Sequence, residues 1–253
     1  MTVNSEIDGS VALVTGAAGG IGRAVCARLA AAGVALAVVD LDGDGAEALL
    51  AELCAKGVAI AADLTDPGAI EGAAADAAAR LGPVDILVNN AGISGMGPPK
   101  PTVETPLDEW ERTLAVNVTA PFLFSRAVLP GMVERGRGRI VNVASMAGIL
   151  CLPGRVSYAA SKAALISLTK TLAVECARSG VRVNAVCPGW VDTPFIAARM
   201  AQPELRAQAE AMVPVGRVAT ADEVADVVAF LLSPASRYMT GAAVAVDGGM
   251  SLL

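Results

Sequence analysis

Tyr158 and Lys162 stand four residues apart in the stretch Ser157 to Arg178, which reads as a helix, so both side chains leave one face about one turn apart. An unperturbed phenol titrates near ~10, and proton transfer near neutrality needs a depression of about 2–3 units, roughly 3–4 kcal/mol. An ammonium beside the ring supplies part of that. Ser145 follows the apolar run Arg139–Ala144, and its hydroxyl can hydrogen-bond an oxygen on which charge develops. The chain has no histidine, which removes Ser-His-Asp hydrolysis, Cys-His chemistry and the common zinc sites together. Cys26, Cys54, Cys151, Cys176 and Cys187 are scattered without CxxC spacing, so reduced thiols and no metal site are expected.

A second constellation is built for a phosphate. Thr15-Gly16-Ala17-Ala18-Gly19-Gly20-Ile21-Gly22 follows an apolar run and opens a helix, where glycines let the backbone approach a pyrophosphate and helix N–H groups face its charge. Asp40 ends the next apolar run, where a carboxylate can accept from the adenosine ribose hydroxyls and repels a 2′-phosphate. Neither Leu41 nor Asp42 is basic, so NAD is expected rather than NADP. A capping role for Asp40 on the following helix is the plain alternative, and Asp42 or Asp44 could serve equally well.

The elements that must position these groups alternate in type. Val11–Thr15, Val34–Asp40, Val58–Asp63, Ile86–Asn89, Ile140–Ala144, Val181–Val186 and Ala242–Val246 read as strands, with alanine-rich amphipathic stretches between them. Strands that are apolar on both faces and joined by helix-length crossovers pair in parallel, with helices on both sides. The expected architecture is therefore an α/β doubly wound, Rossmann-like parallel sheet of seven strands, forming one domain over residues 1–253. The alanines around Ala73–Ala79 are expected to form an exposed helix. Ser94–Thr105 and Pro188–Val213 interrupt the alternation and are candidate substrate loops or a lid.

Composition narrows the partners. The net charge of −6 is spread without blocks of one sign, so no nucleic-acid partner is expected. Met1 to Ser10 lacks a basic segment followed by an apolar run, and no apolar stretch reaches the ~18 residues of a membrane span; the expectation is a cytoplasmic protein.

With these motifs assembled, the chain resembles a short-chain dehydrogenase/reductase of the single-domain kind over nearly its whole length. The family's TGxxxGxG turn, NNAG stretch, asparagine, serine, YxxxK and PG motifs are matched by Thr15–Gly22, Asn89–Gly92, Asn117, Ser145, Tyr158–Lys162 and Pro188-Gly189. The resemblance implies that Tyr158 is the general acid/base, that Ser145 orients the carbonyl, that Lys162 binds the nicotinamide ribose and lowers the Tyr158 pKa, and that Asn117 holds a water for proton relay. It implies a cofactor site of Gly16, Gly19, Ile21, Gly22, Asp40, Leu41, Asp63, Leu64, Asn90, Ala91, Gly92, Tyr158, Lys162, Pro188, Gly189, Val191 and Thr193. Within it Asp63 and Leu64 face the adenine, Asn90 and Ala91 line its ribose, and Val191 and Thr193 hold the carboxamide. Asn89 is expected to stabilise the sheet instead. A homotetramer built on the Tyr158 helix and the helix before Arg135 is also implied.

The reaction expected is hydride transfer between nicotinamide and a small-molecule carbonyl or secondary alcohol. Two rivals stand beside it. One is a 3-oxoacyl carrier-protein reductase, since Arg135, Arg137 and Arg139 offer charge to an acidic partner; the other is a catalytically silent NAD-sensing protein. Met96, Ile149, Leu150, Leu152, Trp190, Phe195 and Met200 suggest an apolar pocket for a largely uncharged substrate, or else lid packing.

Overall fold

The computed structural model describes residues 7–95 and 97–253. Strand and helix alternate through β1 (Val11–Thr15), α1 (Gly20–Ala31), β2 (Ala35–Asp40), α2 (Gly43–Glu52), β3 (Gly57–Ala61), α3 (Pro67–Leu81) and β4 (Ile86–Asn89). The chain continues through α4 (Leu107–Leu114), α5 (Ala120–Glu134), β5 (Gly138–Val143), α6 (Val156–Cys176) and β6 (Val181–Pro188). An excursion then carries β7 (Val191–Asp192), α7 (Ala197–Met200), α8 (Pro203–Ala211) and β8 (Ala219–Thr220), before α9 (Ala221–Leu232) and β9 (Ala243–Val246).

The principal sheet has the order β3-β2-β1-β4-β5-β6-β9, with every neighbouring pair parallel. All seven expected strands are present, displaced by a residue or two at their ends. The order reverses between β1 and β4, so a crevice opens beyond their carboxyl ends, where the glycine-rich turn and the Asn89–Gly92 stretch emerge.

Alternation along each strand divides the core. Leu13 faces one side with Ile70 and Ala77 of α3, Phe124 and Met132 of α5, and Leu172 of α6. Its neighbours Ala12 and Val14 face the other, with Val25 and Leu29 of α1, Leu49 of α2 and Val228 of α9. Helix α3 corrects the expectation of an exposed alanine helix. Ala73, Ala74 and Ala77 are buried against the sheet, because a methyl side chain lets the helix approach more closely than a larger one could.

The helical run Leu107–Glu134 is one continuous piece of 28 residues, long and apolar enough by length and composition alone to cross a membrane, a test that a core helix also passes. Much of it is committed to the core, including Asn117, Phe124 and Met132. Its middle is a π-helical turn, Ala115–Thr119, in which the Ala120 N–H reaches back to the Ala115 carbonyl. Such turns frequently mark functional positions.

The excursion after β6 is held by parallel pairing of β7 with β8 and by a small cluster of Met200, Ala209 and Val218, with Trp190 and Ile196 packed on it. Trp190 and Met200 thus pack the excursion against itself. Met96 lies outside the described residues.

At the start of α2 the Asp42 carboxylate accepts from the Gly45 N–H at 3.0 Å, so Asp42 is the cap and Asp40 is released from that role. Asp42→Ala is expected to lower the unfolding free energy by about 1 kcal/mol in chemical denaturation, without changing cofactor preference.

Candidate active site

The glycine-rich turn is a cradle from which protein atoms are excluded. Gly16 takes φ +61, and a Cβ there would stand 2.8 Å from Ala91 Cα. A Cβ at Gly22 would run into the Gly16 carbonyl and the Asn90 amide, whereas at Gly19 it would meet nothing within 4 Å. Gly19 starts α1 without a side-chain cap, and the first turn holds no acidic residue. Uncapped N–H groups at an unobstructed helix start are the donor set a pyrophosphate requires. Ile21 packs its side chain into the core beneath.

Three hydrogen-bonded ties shape this cradle. Thr15 Oγ1 accepts from the N–H groups of both Asn90 and Ala91, each at 3.1 Å. The Asn90 side-chain amide donates to the carbonyls of Thr15 and Gly16, at 3.1 and 2.8 Å, so its Nδ2 is spent on the turn. Asp40 accepts from Ala18 N at 2.9 Å and from Asp42 N at 3.1 Å, with carboxylate lone pairs still open. The hydroxyl of Thr15 went unremarked in the sequence, although its place at the end of β1 was the available signal.

The outer positions are less enclosed. Leu41 is 68% exposed, Asp63 is exposed with Oδ1 accepting from both the N–H and the hydroxyl of Thr65, and Leu64 packs against the core. These bonds from Thr65 hold the Asp63 carboxyl below its ordinary range. On the opposite wall Gly189 N donates to Val246 O at 3.0 Å, and a Cβ at Gly189 would stand 3.0 Å from Asp247 Cα. Pro188 and Val191 are buried. Thr193 leans on the cradle: its Cβ and Cγ2 lie 2.9 Å from where a Cβ of Gly20 would be.

The groups expected to handle protons converge at the carboxyl end of β5. The Ser145 hydroxyl lies near enough to the Tyr158 phenol to act on its ionisation. Ser145 Oγ also accepts from Ala147 N at 3.1 Å. Lys162, only 3% exposed, donates to the Val143 carbonyl at 2.9 Å and holds Nζ 5.7 Å from the centre of the Tyr158 ring. A Cβ at Gly92 would sit 3.1 Å from that nitrogen, so glycine leaves the ammonium reachable from the crevice. The Phe195 ring stands 6.2 Å from that of Tyr158 on the lid side.

The Asn117 side chain is bonded on both its oxygen and its nitrogen. Its Oδ1 accepts from Ile93 N at 2.9 Å, while Nδ2 donates to Ile93 O and to Ser161 Oγ, both at 2.9 Å. Ser161 Oγ passes its own proton to the Tyr158 carbonyl at 2.8 Å. The amide therefore ties the loop after β4 to the turn carrying Tyr158. Asn89 behaves as expected of a sheet residue, donating to Asn142 Oδ1 at 2.8 Å.

The rim is less apolar than expected. Ile149 and Phe195 are about half exposed, whereas Met200 is buried in the lid. Arg155 donates to the Ser94 carbonyl at 3.2 Å, and Arg199 lies over the Trp190 ring at 4.9 Å with its Nε buried and unpartnered among the described residues. Lys100 is paired to the buried Glu109 at 2.7 Å. By contrast, Arg135 and Arg137 meet Asp85, and Arg139 is the second residue of β5, so all three lie at the amino ends of the strands, away from Ser145.

Ionisation within the protein alone runs against the sequence expectation. Burial raises the Tyr158 phenol above its ordinary 10, opposed in part by the neighbouring Ser145 hydroxyl. Burial also lowers the Lys162 ammonium, from 10.5 to about 8. In the unfolded chain the lysine titrates near 10.5 and in the fold near 8, so unfolding takes up a proton between those values. The fold carries the whole penalty below pH 8, about 3 kcal/mol, and sheds it as pH rises. The unfolding free energy of the parent minus that of Lys162→Met should therefore climb from pH 7 to pH 10 in urea denaturation without cofactor. A flat difference contradicts the burial penalty.

Comparison with known proteins agrees with this arrangement. The family model described as enoyl-(acyl carrier protein) reductase matches residues 16–251. The chain is 41% identical to 2-(R)-hydroxypropyl-CoM dehydrogenase of Xanthobacter autotrophicus, covering 96% of this chain and 99% of that one. It is 39% identical to the 3-oxoacyl-[acyl-carrier-protein] reductase of Escherichia coli, over 98% of this chain and 100% of the relative. A crystal structure from Beutenbergia cavernae, described as an NAD(P)-dependent gluconate 5-dehydrogenase with NADP bound at low occupancy, superposes with TM-score 0.92 at 38% identity, over 98% of each chain. A glycine cradle at the strand-order reversal, a tyrosine and lysine one turn apart, and likeness over almost the full length together mean that the chain belongs to the short-chain dehydrogenase/reductase family of oxidoreductases.

Proposed function

We propose that this chain is a single-domain, cytoplasmic, NAD-dependent dehydrogenase that interconverts a secondary alcohol and a ketone, with Tyr158 as the general acid/base. The observation that carries this reading is the meeting of the Ser145 hydroxyl, the Tyr158 phenol and the buried Lys162 ammonium at one strand end, facing the cradle. Gly16, Gly19, Ile21 and Gly22 would take the pyrophosphate, Asp40 and Leu41 the adenosine ribose, and Asp63 and Leu64 the adenine. Asn90, Ala91 and Gly92 would line the middle of the dinucleotide, and Pro188, Gly189, Val191 and Thr193 its carboxamide end. The nicotinamide supplies hydride exchange with the substrate carbon.

The chain's own residues do the rest. Ser145 donates to the substrate oxygen, and Tyr158 gives or takes the proton at that same atom. Lys162 has one bond to Val143 and further N–H donors for ribose hydroxyls, and its charge favours the phenolate. Asn117 completes the set by tying Ile93 to the Tyr158 turn, with its backbone available to a relay water. Since burial raises the phenol, the depression needed for turnover must come in part from the positive nicotinamide.

NAD preference rests on Asp40, whose open lone pairs face the side where a 2′-phosphate would bring like charge. The relative from Xanthobacter acts, by its name, on 2-(R)-hydroxypropyl-CoM, which supports a secondary alcohol as the substrate class. Arg155 and Arg199 favour a polar substituent beyond the reacting carbon. The acyl-carrier reductase reading has the second likeness in its favour. Its sequence argument weakens, because the three arginines invoked for it stand at the far end of the sheet. Exposed Phe122 and Val133 on α5 and Val174 on α6 support a homotetramer packed through those helices.

Tyr158→Phe should reduce kcat by about 10²–10⁴-fold with little change in NAD affinity, read by NADH absorbance and by fluorescence titration. Near-parental turnover defeats the assignment. The kcat/KM for NADH should exceed that for NADPH, and Asp40→Ala should narrow the ratio by about tenfold or more; an NADPH preference in the parent protein refutes the cofactor reading. Sedimentation velocity should give a tetramer, and a monomer would speak against the packing through α5 and α6.

A further inference from the structure

Helix α6 carries Tyr158 and Lys162, so its placement against β5 sets where the phenol stands relative to Ser145. Apolar contacts such as those of Leu165 and Ile166 hold the helix down, but the hydrophobic effect is non-directional and leaves sliding and rotation weakly specified. Direction comes from two polar bonds to consecutive residues of β5. Lys162 Nζ donates to the Val143 carbonyl at 2.9 Å, and the Asn142 side-chain amide donates to Thr169 Oγ1 at 2.8 Å. Lys162 and Thr169 lie two helical turns apart on the buried face, roughly 10 Å along the axis.

Asn142 is bonded through both its oxygen and its nitrogen at this junction. Its Oδ1 accepts from Asn89 Nδ2 of β4 at 2.8 Å, so one fully buried amide spans β4, β5 and α6. Thr169 returns its own proton to the Leu165 carbonyl at 2.8 Å, which fixes its hydroxyl rotor with the lone pairs toward Asn142. An unpaired amide in such a site costs on the order of 1–3 kcal/mol, so the pairing enforces a single axial setting of the helix.

We infer that Asn142 and Thr169 are positioning residues for the reaction: their hydrogen bond sets the axial register of α6 against β5 and thereby the approach of Tyr158 to Ser145. The link to turnover rests on the function proposed above; the link to helix register does not. A misplacement of about 1 Å at a reacting group lowers rate by roughly a hundredfold.

The test compares Thr169→Val, which keeps the shape and removes the hydroxyl, with Thr169→Ser, which keeps the hydroxyl. In Thr169→Val, kcat should fall by about tenfold to a hundredfold while KM and NAD affinity stay within about twofold, and Thr169→Ser should restore kcat. Equal kcat for the two variants overturns the inference even if the parent is an active dehydrogenase. Amide hydrogen exchange on the cofactor-free proteins decides the matter without turnover. Thr169→Val should exchange faster in Val156–Lys162 as well as around Thr169, and Thr169→Ser should not. Faster exchange confined to the turn around Thr169, or no difference, overturns the inference. If Thr169→Val does not fold, as judged by its thermal transition, Thr169→Ala makes the same comparison. A parent protein that turns over no secondary alcohol with NAD defeats the proposed function, and the exchange result still stands on its own.

Discussion

A lysine ammonium almost wholly removed from water is the constraint around which the active-site end of this molecule is arranged. Burial pulls its pKa down to about 8, so the protein holds a charge at a site that disfavours it. What keeps the charge tolerable is a backbone carbonyl, that of Val143, and an opening toward the crevice left by glycine at position 92. The same burial pushes the neighbouring phenol upward. Two groups that would each be easier to ionise in water are thus brought together where their mutual interaction is strongest.

The fold makes this arrangement by letting backbones approach one another. At Gly16 and Gly22 any side chain would strike the loop after β4 or the turn itself, and at Gly148 a Cβ would stand 2.6 Å from the backbone of Lys162. Close approach turns main-chain groups into the principal donors and acceptors of the site. Side chains such as Thr15, Asn90, Asp40 and Asn117 then fix those strands of backbone to each other. Stability and site geometry are consequently held by the same bonds.

Much of this was readable in the sequence because it depends on local pattern. Apolar runs of strand length located the strands; the four-residue spacing of Tyr158 and Lys162 placed both on one helix face. The reading failed where partners are distant. Ala73, Ala74 and Ala77 look like surface residues of a weakly amphipathic helix until the sheet is in place. The tie that the Asn117 amide makes to Ile93 and Ser161, both distant in sequence, could not be read from its own position. Arg135 and Arg137 looked available until Asp85 met them. The direction of the Tyr158 shift was beyond a sequence reading too, since spacing reveals a neighbouring cation but not the depth at which both groups lie.

The central claim is that the phenol is raised by burial in the protein alone and lowered by a bound positive nicotinamide. The chain has two tyrosines, so an ultraviolet difference titration of tyrosinate, with the Tyr158→Phe spectrum subtracted, isolates this group. The account predicts a midpoint above 10 without cofactor and a downward displacement once NAD is bound. A midpoint below 10 in the free protein, or one that NAD leaves unmoved, would contradict it.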